Sequence, residues 1–232
     1  MIACFGDSIT EGRPGVTYLR YLDGAEKYYN MGLSGDTLLG LSKRVDQFRN
    51  NSVCNEFIIA IGCNDIMLPF LHDYSPKWAA VVDGLIDRGS RPLPRSADFI
   101  AEYEKLLSKL ADKKVIVVSI PCIGENLKNE LNARVDEYNG HLKKLCEKHG
   151  VYYVDFNGWQ KEVIKSSGFE SDYFMPKDTN HVKLDVLTTT FLGLSTMISN
   201  KRKLTVTVDG VHLNKQGAKG LANLINKTKA AS

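Results

Sequence analysis

The sequence predicts a doubly wound α/β protein, with helices on both faces of a parallel sheet. Three observations carry this prediction. Short apolar runs at residues 2–5, 28–31, 57–61, 115–120 and 151–156 are spread along the chain as candidate strands. They are nearly continuous rather than alternating in character, as strands covered on both faces are. Between most of them apolar residues recur at helical spacing, and strands that alternate with helices demand parallel crossovers. Ligands in such a sheet bind beyond the carboxyl ends of the strands, so chemistry is expected in the residues that follow each run.

Taken in order, the first run leads into Gly6-Asp7-Ser8-Ile9-Thr10-Glu11-Gly12, which presents the Ser8 hydroxyl at the carboxyl end of a strand. An isolated G-D-S tripeptide serves equally well as a turn or a helix cap. The second run ends in Asn30-Met31-Gly32-Leu33-Ser34-Gly35-Asp36-Thr37, ahead of a helix with Leu38, Leu41, Val45 and Phe48 on one face. A glycine at that junction lets backbone N–H groups approach a ligand, and a helix N-terminus favours negative charge. The third run ends in Gly62-Cys63-Asn64-Asp65, where the Asn64 amide is a candidate oxyanion donor, although Asn-Asp is also ordinary turn chemistry.

Between residues 67 and 95, Ser75 and Pro76 offer an N-cap and a first-turn proline for Trp78, Val81, Val82, Leu85 and Ile86, closed by Gly89. This predicts one extra helix inserted after the third strand. Phe99, Tyr103, Leu106 and Leu110 mark the next helix, and Leu127, Leu131, Val135, Tyr138, Leu142 and Leu145 a longer one capped by Gly150. Residues 159–208 break the alternation. There Val182, Leu184, Val186 and later Leu204, Val206, Val208 alternate as short strands would.

Asp209-Gly210-Val211-His212 then precedes a last helix with Ala218, Leu221, Leu224 and Ile225 on its apolar face. A spacing of three lets one turn present both side chains, the aspartate holding one ring N–H and leaving the other nitrogen to accept a serine proton. Asp178-Thr179-Asn180-His181 repeats the spacing, and spacing alone does not separate the two pairs. Asp209 and His212 are preferred because they open a helix after an apolar run. His72, His141 and His149 have weaker claims, the last two sitting in helical sequence where a solvated surface position is usual.

Length and composition fit one domain over 1–232, with insertions near 67–95 and 160–207. The chain has 232 residues, 43% of them hydrophobic. Thirty basic against 27 acidic side chains leave a net charge of +3, too small to imply a nucleic-acid surface, and a small-molecule substrate fits better. No apolar run is long enough for a membrane span or a signal-peptide core, so the expectation is a soluble, cytoplasmic protein. Cys4, Cys54, Cys63, Cys122 and Cys146 show no C-x-x-C pairing, which argues against a disulfide framework and a structural zinc site. Neither G-x-x-x-x-G-K-[ST] nor G-x-G-x-x-G follows a strand, which disfavours a nucleotide-binding protein.

In order, Gly6-Asp7-Ser8, Gly35, Gly62-Cys63-Asn64-Asp65 and Asp209-x-x-His212 resemble the four sequence blocks of the SGNH hydrolases, also called GDSL-type lipases and esterases. The resemblance implies a flavodoxin-like, three-layer α/β/α sandwich around five parallel strands. It implies Ser8 as nucleophile, His212 as base and Asp209 as its orienting partner. The oxyanion hole would be formed by the Ser8 and Gly35 N–H groups and the Asn64 side chain. Neither metal nor organic cofactor is called for, and Cys63 is a filler rather than a nucleophile. The implied activity is hydrolysis of a small ester, whether of a lipid, an acylated carbohydrate or another alcohol, through an acyl-serine. An acyltransferase or carbohydrate deacetylase would use the same residues. A non-catalytic binding module is the rival from another class, disfavoured because nucleophile, base and oxyanion donors are all present. The stretch before Asp209 is longer than compact members of the family need, and 67–95 and 178–204 are expected to border the pocket.

Overall fold

The computed structural model describes residues 1–50, 53–168 and 170–231. Strands β1 (Ile2–Gly6), β2 (Tyr28–Gly32), β3 (Glu56–Ala60), β4 (Lys114–Val118) and β5 (Tyr152–Val154) form one parallel sheet in the order β2-β1-β3-β4-β5. All five lie on the predicted apolar runs. Gly6 pairs in register with both Gly32 and Ala60, so the first three strands end level and their following loops share one edge.

Helix α1 (Ser8–Glu11) follows β1, α2 (Leu38–Phe48) follows β2, and α3 (Cys63–Tyr74) with α4 (Pro76–Asp87) follow β3. Then come α5 (Ser96–Lys109), α6 (Glu130–His149) and α7 (Phe156–Ser166). Their apolar stripes explain the layering. Phe48 of α2 packs edge-on against Phe5 and Phe57, which stack side by side on β1 and β3 with centroids 6.1 Å apart. Phe99 of α5 packs against Tyr103 of the same helix and Tyr138 of α6, and α5 packs on both α2 and α6, joining the three into one layer. The last helix, α10 (Lys215–Ala230), packs on α7 and β5. The result is the expected sandwich.

Three local expectations need correction. Two helices, not one, follow β3, because α3 continues directly from the strand-end residues Cys63 and Asn64. Ser75 and Pro76 do open the second, with the Trp78 N–H donating to Ser75 Oγ at 3.3 Å. The long helix starts at Glu130 rather than near Leu127, because Asn129 caps it by accepting from the Asn132 N–H at 2.7 Å.

The alternating residues of 180–208 are not strands. Helix α8 (Asn180–Asp185) runs into a π-helical turn (Val186–Phe191), and α9 (Ser195–Lys201) follows. Val182 and Val186 lie four apart on one helical face while Leu184 points outward, 58% exposed. Residues 204–208 join no strand of the sheet and bend repeatedly; an isolated bridge from Thr207 to Leu213 is their ladder contact. The reason is a carboxylate. Buried Glu125 accepts from the N–H groups of Thr205, Val206 and Thr207 at 2.6, 2.9 and 2.9 Å and from Thr207 Oγ1 at 2.6 Å, taking the donors a neighbouring strand would have used.

Candidate active site

Ser8 is the first residue of α1. Asp7 caps that helix, its carboxylate accepting the Ile9 N–H at 2.9 Å, which turns the chain sharply at the end of β1. Gly6 allows the turn, since a Cβ there would lie 2.1 Å from Thr10 Oγ1 and 2.6 Å from the Ala60 carbonyl oxygen. The Ser8 hydroxyl thus stands at the level sheet edge, on a side chain that is 8% exposed.

The turn 209–212 brings the other end of the chain to the same point. His212 Nε2 lies 2.9 Å from Ser8 Oγ and His212 Nδ1 lies 2.7 Å from Asp209 Oδ2. Asp209 Oδ1 accepts from the N–H groups of Val211 and His212 at 3.0 and 2.8 Å, so the carboxylate is fully engaged and its orientation fixed. Burial pushes the Asp209 carboxyl up, but the His212 charge and these hydrogen bonds outweigh it and hold the carboxyl below its usual 3.8. An ionised carboxylate can only accept, so Nδ1 carries the ring proton and Nε2 is free to accept from the serine. Burial likewise lowers the imidazolium pKa, and Asp209 by charge and hydrogen bond, helped by Asp7 and Asp185, more than reverses this and raises it above 6.5.

Gly35 and Asn64 face the same space. The Gly35 N–H has no acceptor among the described residues, and its φ of 78° together with a Leu85 methyl 2.3 Å from where a Cβ would sit confine the position to glycine. Asn64 uses one amide hydrogen on the Asp36 carbonyl at 2.8 Å and keeps the other. The loop that carries Gly35 is clamped on every side. Ser34 donates from N and Oγ to Glu11 at 2.9 and 2.6 Å, Ser90 Oγ donates to the Gly35 carbonyl at 2.9 Å, and Arg44 pairs with Asp36 at 2.5 Å. Asp65 completes the clamp by accepting the Leu38 and Leu93 N–H groups, both at 3.0 Å.

Sequence reasoning found the five residues that meet here and missed those that hold them. Glu125, Asp65, Glu11, Arg44 (which also reaches the Gly6 carbonyl), and the pair formed by Asp185 and Arg202 at 2.7 Å act on residues 17 or more positions away, and Asp36 with Arg44 pairs eight apart; none leaves a local pattern. Arg202 also donates to the Val208 carbonyl at 2.6 Å and covers the Tyr173 ring, which binds the 180–191 segment to the turn carrying Asp209. The other pair with the same spacing is built differently. Asp178 forms an ion pair with Lys77 at 3.0 Å, and His181 Nδ1 contacts the Asp178 backbone oxygen rather than its carboxylate. His72, His141, His149 and His181 do not line the space in front of Ser8. Cys63 is buried, and burial pushes its thiol well up, away from the nucleophilic thiolate. Among the described residues no group of three or more His, Cys, Asp or Glu side chains is arranged to hold a metal ion, and no helix is long and apolar enough to cross a membrane.

Ser8, Gly35, Asn64 and His212 open onto a cleft of about 360 Å³ whose other walls come from the loop residues Arg13, Pro14 and Ser34, from α3, from α4 with the following Arg88, and from residues 175–186. The two segments expected to border the pocket do so.

The model of the GDSL-like Lipase/Acylhydrolase family matches residues 4–219. No protein of curated function matches the sequence. Among solved structures, the fold is similar to that of LAE5, an alpha/beta hydrolase enzyme from the metagenome of Lake Arreo, Spain (TM-score 0.65, 19% identity, 99% of this chain and 94% of that one covered). It is also similar to Axe2, an acetylxylan esterase from Geobacillus stearothermophilus (0.61, 18%, 98% and 92%), and to a lipase/acylhydrolase from Enterococcus faecalis (0.57, 18%, 97% and 93%).

Proposed function

The chain belongs to the GDSL-like lipase/acylhydrolase family and is an ester-bond hydrolase; from that premise we propose that it works through an acyl-Ser8 intermediate, with His212 as general base and acid and Asp209 as its orienting partner. The observation that carries this reading is the unbroken line from Ser8 Oγ through His212 to Asp209, with links of 2.9 and 2.7 Å.

In the proposed cycle Ser8 Oγ adds to the ester carbonyl carbon while its proton passes to His212 Nε2, and the carbonyl electrons move onto oxygen. That oxyanion is met by the N–H groups of Ser8 and Gly35 and by the second Asn64 amide hydrogen. Collapse breaks the bond to the alcohol, which leaves with the proton from Nε2. Water then adds to the acyl-serine as the same nitrogen takes its proton, and a second collapse returns that proton to Ser8 and releases the carboxylic acid. Asp209 stays ionised throughout and stabilises the imidazolium that forms twice per turnover. The clamp around Gly35 supports the reading, because an oxyanion hole stabilises charge only if its donors are already in position.

A second reading, removal of acetyl groups from a carbohydrate, has one observation in its favour, the similarity to a structure described as an acetylxylan esterase. The same residues would serve it.

The test is hydrolysis of p-nitrophenyl esters by the wild type and by four variants. Ser8→Ala and His212→Ala are expected to lose at least about 10³-fold in kcat, Asn64→Ala about 10²- to 10³-fold, and His181→Ala little. Retention of wild-type rates by Ser8→Ala would overturn the proposal.

A further inference from the structure

The cleft in front of Ser8 is lined largely by apolar side chains, with Arg13, Ser34 and Arg88 among its polar ones. On α3, Met67 and Leu71 follow Asn64 at spacings of three and seven, so they continue the helix face that offers the amide. On α4, Trp78, Val81 and Leu85 repeat that spacing, and Leu85 lies directly over Gly35. Val186 comes from the π-helical turn of the long insertion. Met67, Leu71 and Trp78 are themselves buried in the core, whereas Val81 is 36% exposed and Leu85 and Val186 are half-buried. The Trp78 indole N–H is already satisfied by the Pro176 carbonyl at 2.9 Å, so its ring adds only apolar surface. The core packing of α3 and α4 therefore continues into an open space of about 360 Å³, where Val81, Leu85 and Val186 leave apolar surface uncovered.

We propose that this space is an acyl site for an aliphatic chain longer than acetyl, with Leu85 and Val186 setting the preferred length. The inference rests on the acyl-serine mechanism proposed above. Its direction follows from proton transfer: the departing alcohol oxygen must lie within reach of His212 Nε2, so the alcohol part leaves past the histidine. The acyl chain extends the other way, along the wall that starts at the two oxyanion donors. A single acetyl methyl cannot cover the uncovered surface of Val81, Leu85 and Val186 together. A longer chain removes them from water, and each buried methylene is expected to raise kcat/KM about fourfold, or roughly 200-fold over the four methylenes that separate acetate from hexanoate if all are buried.

The experiment measures kcat/KM of the full chain on p-nitrophenyl acetate, butyrate, hexanoate and octanoate, for the wild type, Leu85→Ala and Val186→Phe. Each preparation is first titrated with a fluorophosphonate that labels an activated serine, so that rates refer to competent sites and a poorly folded variant is corrected for. The expected result is a rise from acetate towards the longer esters, with the optimum moved to shorter chains by Val186→Phe and to longer ones by Leu85→Ala. Highest kcat/KM on acetate in wild type whose Ser8 titrates fully would overturn the acyl site while leaving the mechanism standing, as would an unmoved optimum in both variants. Failure of the wild-type serine to label would instead remove the mechanism and the acyl site with it.

Discussion

At the scale of single residues, the site depends on two opposed displacements of acidity. Asp209 is held below 3.8 and His212 above 6.5, each by the other. A base must be neutral to accept a proton, so kcat/KM is expected to rise with pH through a midpoint above 6.5. The sign reverses for stability. The lowered carboxyl contributes fully above 3.8 and is lost as pH falls through its folded value, whereas the raised imidazole contributes fully below 6.5 and is lost as pH rises through its folded value. The pair is therefore most stabilising between about pH 4 and 6.5, below the range in which His212 would be neutral and able to accept a proton in the proposed cycle. Asp209→Asn removes the main groups that raise the histidine and offers Nδ1 the wrong hydrogen-bond partner. It is expected to lower kcat about 10⁴-fold and to move the acid limb of the residual activity downward, as a pH–rate profile would record. An unmoved limb would show that Asp209 does not control the histidine.

At the scale of elements, the turn 209–212 is not self-supporting. Residues 204–208, which lead into it, lie away from the sheet and are held by Glu125 from the loop after β4. From the other side Asn214 donates to the Thr205 carbonyl at 3.0 Å and to Ser199 Oγ at 3.1 Å while capping α10. Glu125→Ala leaves three backbone N–H groups without an acceptor and is expected to cost at least about 3 kcal/mol in urea unfolding, at about 1–3 kcal/mol for each unpaired donor. Glu125→Gln should cost less. Its oxygen can still serve the three donors that Glu125 Oε1 accepts, and only the Thr205 N–H loses its partner. Equal stability of the two variants would remove the carboxylate from this role. The ordering is legible only in three dimensions, because Glu125 and Thr207 are 82 residues apart.

For the whole molecule, the sheet edge gathers buried carboxyls as well as Ser8. Burial pushes Asp7 up to about 6 and Asp65 up to about 8. Each holds its proton more tightly folded than unfolded, so the stability it contributes is complete below 3.8 and is lost as pH rises through those values. With His212 acting in the same sense above 6.5, the chain is expected to lose stability from about pH 4 to 8 over the range in which its activity rises. Thermal unfolding across this range tests the idea. Asp65→Asn should flatten the slope between pH 6 and 8 whatever it does to the absolute Tm, and an unchanged slope would show that Asp65 is ionised throughout.

What the sequence determined by itself was whatever repeats at short range. Apolar runs announced the five strands, Ser75 with Pro76 announced a helix start, the residues after two strand ends offered Ser8 and Asn64, a D-x-x-H spacing before the last helix offered Asp209 and His212, and the family resemblance added Gly35. Periodicity and caps are properties of neighbouring residues, so they survive in one dimension. The tertiary structure alone decided which of two equally spaced Asp–His pairs reaches the serine, that 180–191 is helical, and that 204–208 joins no sheet. In each case the deciding partner is away from the segment along the chain: Ser8 for His212, Lys77 for Asp178, Arg202 for the helical insertion, Glu125 for residues 204–208. A short segment's backbone donors go to whichever acceptor the fold brings nearest, and local pattern carries no record of it.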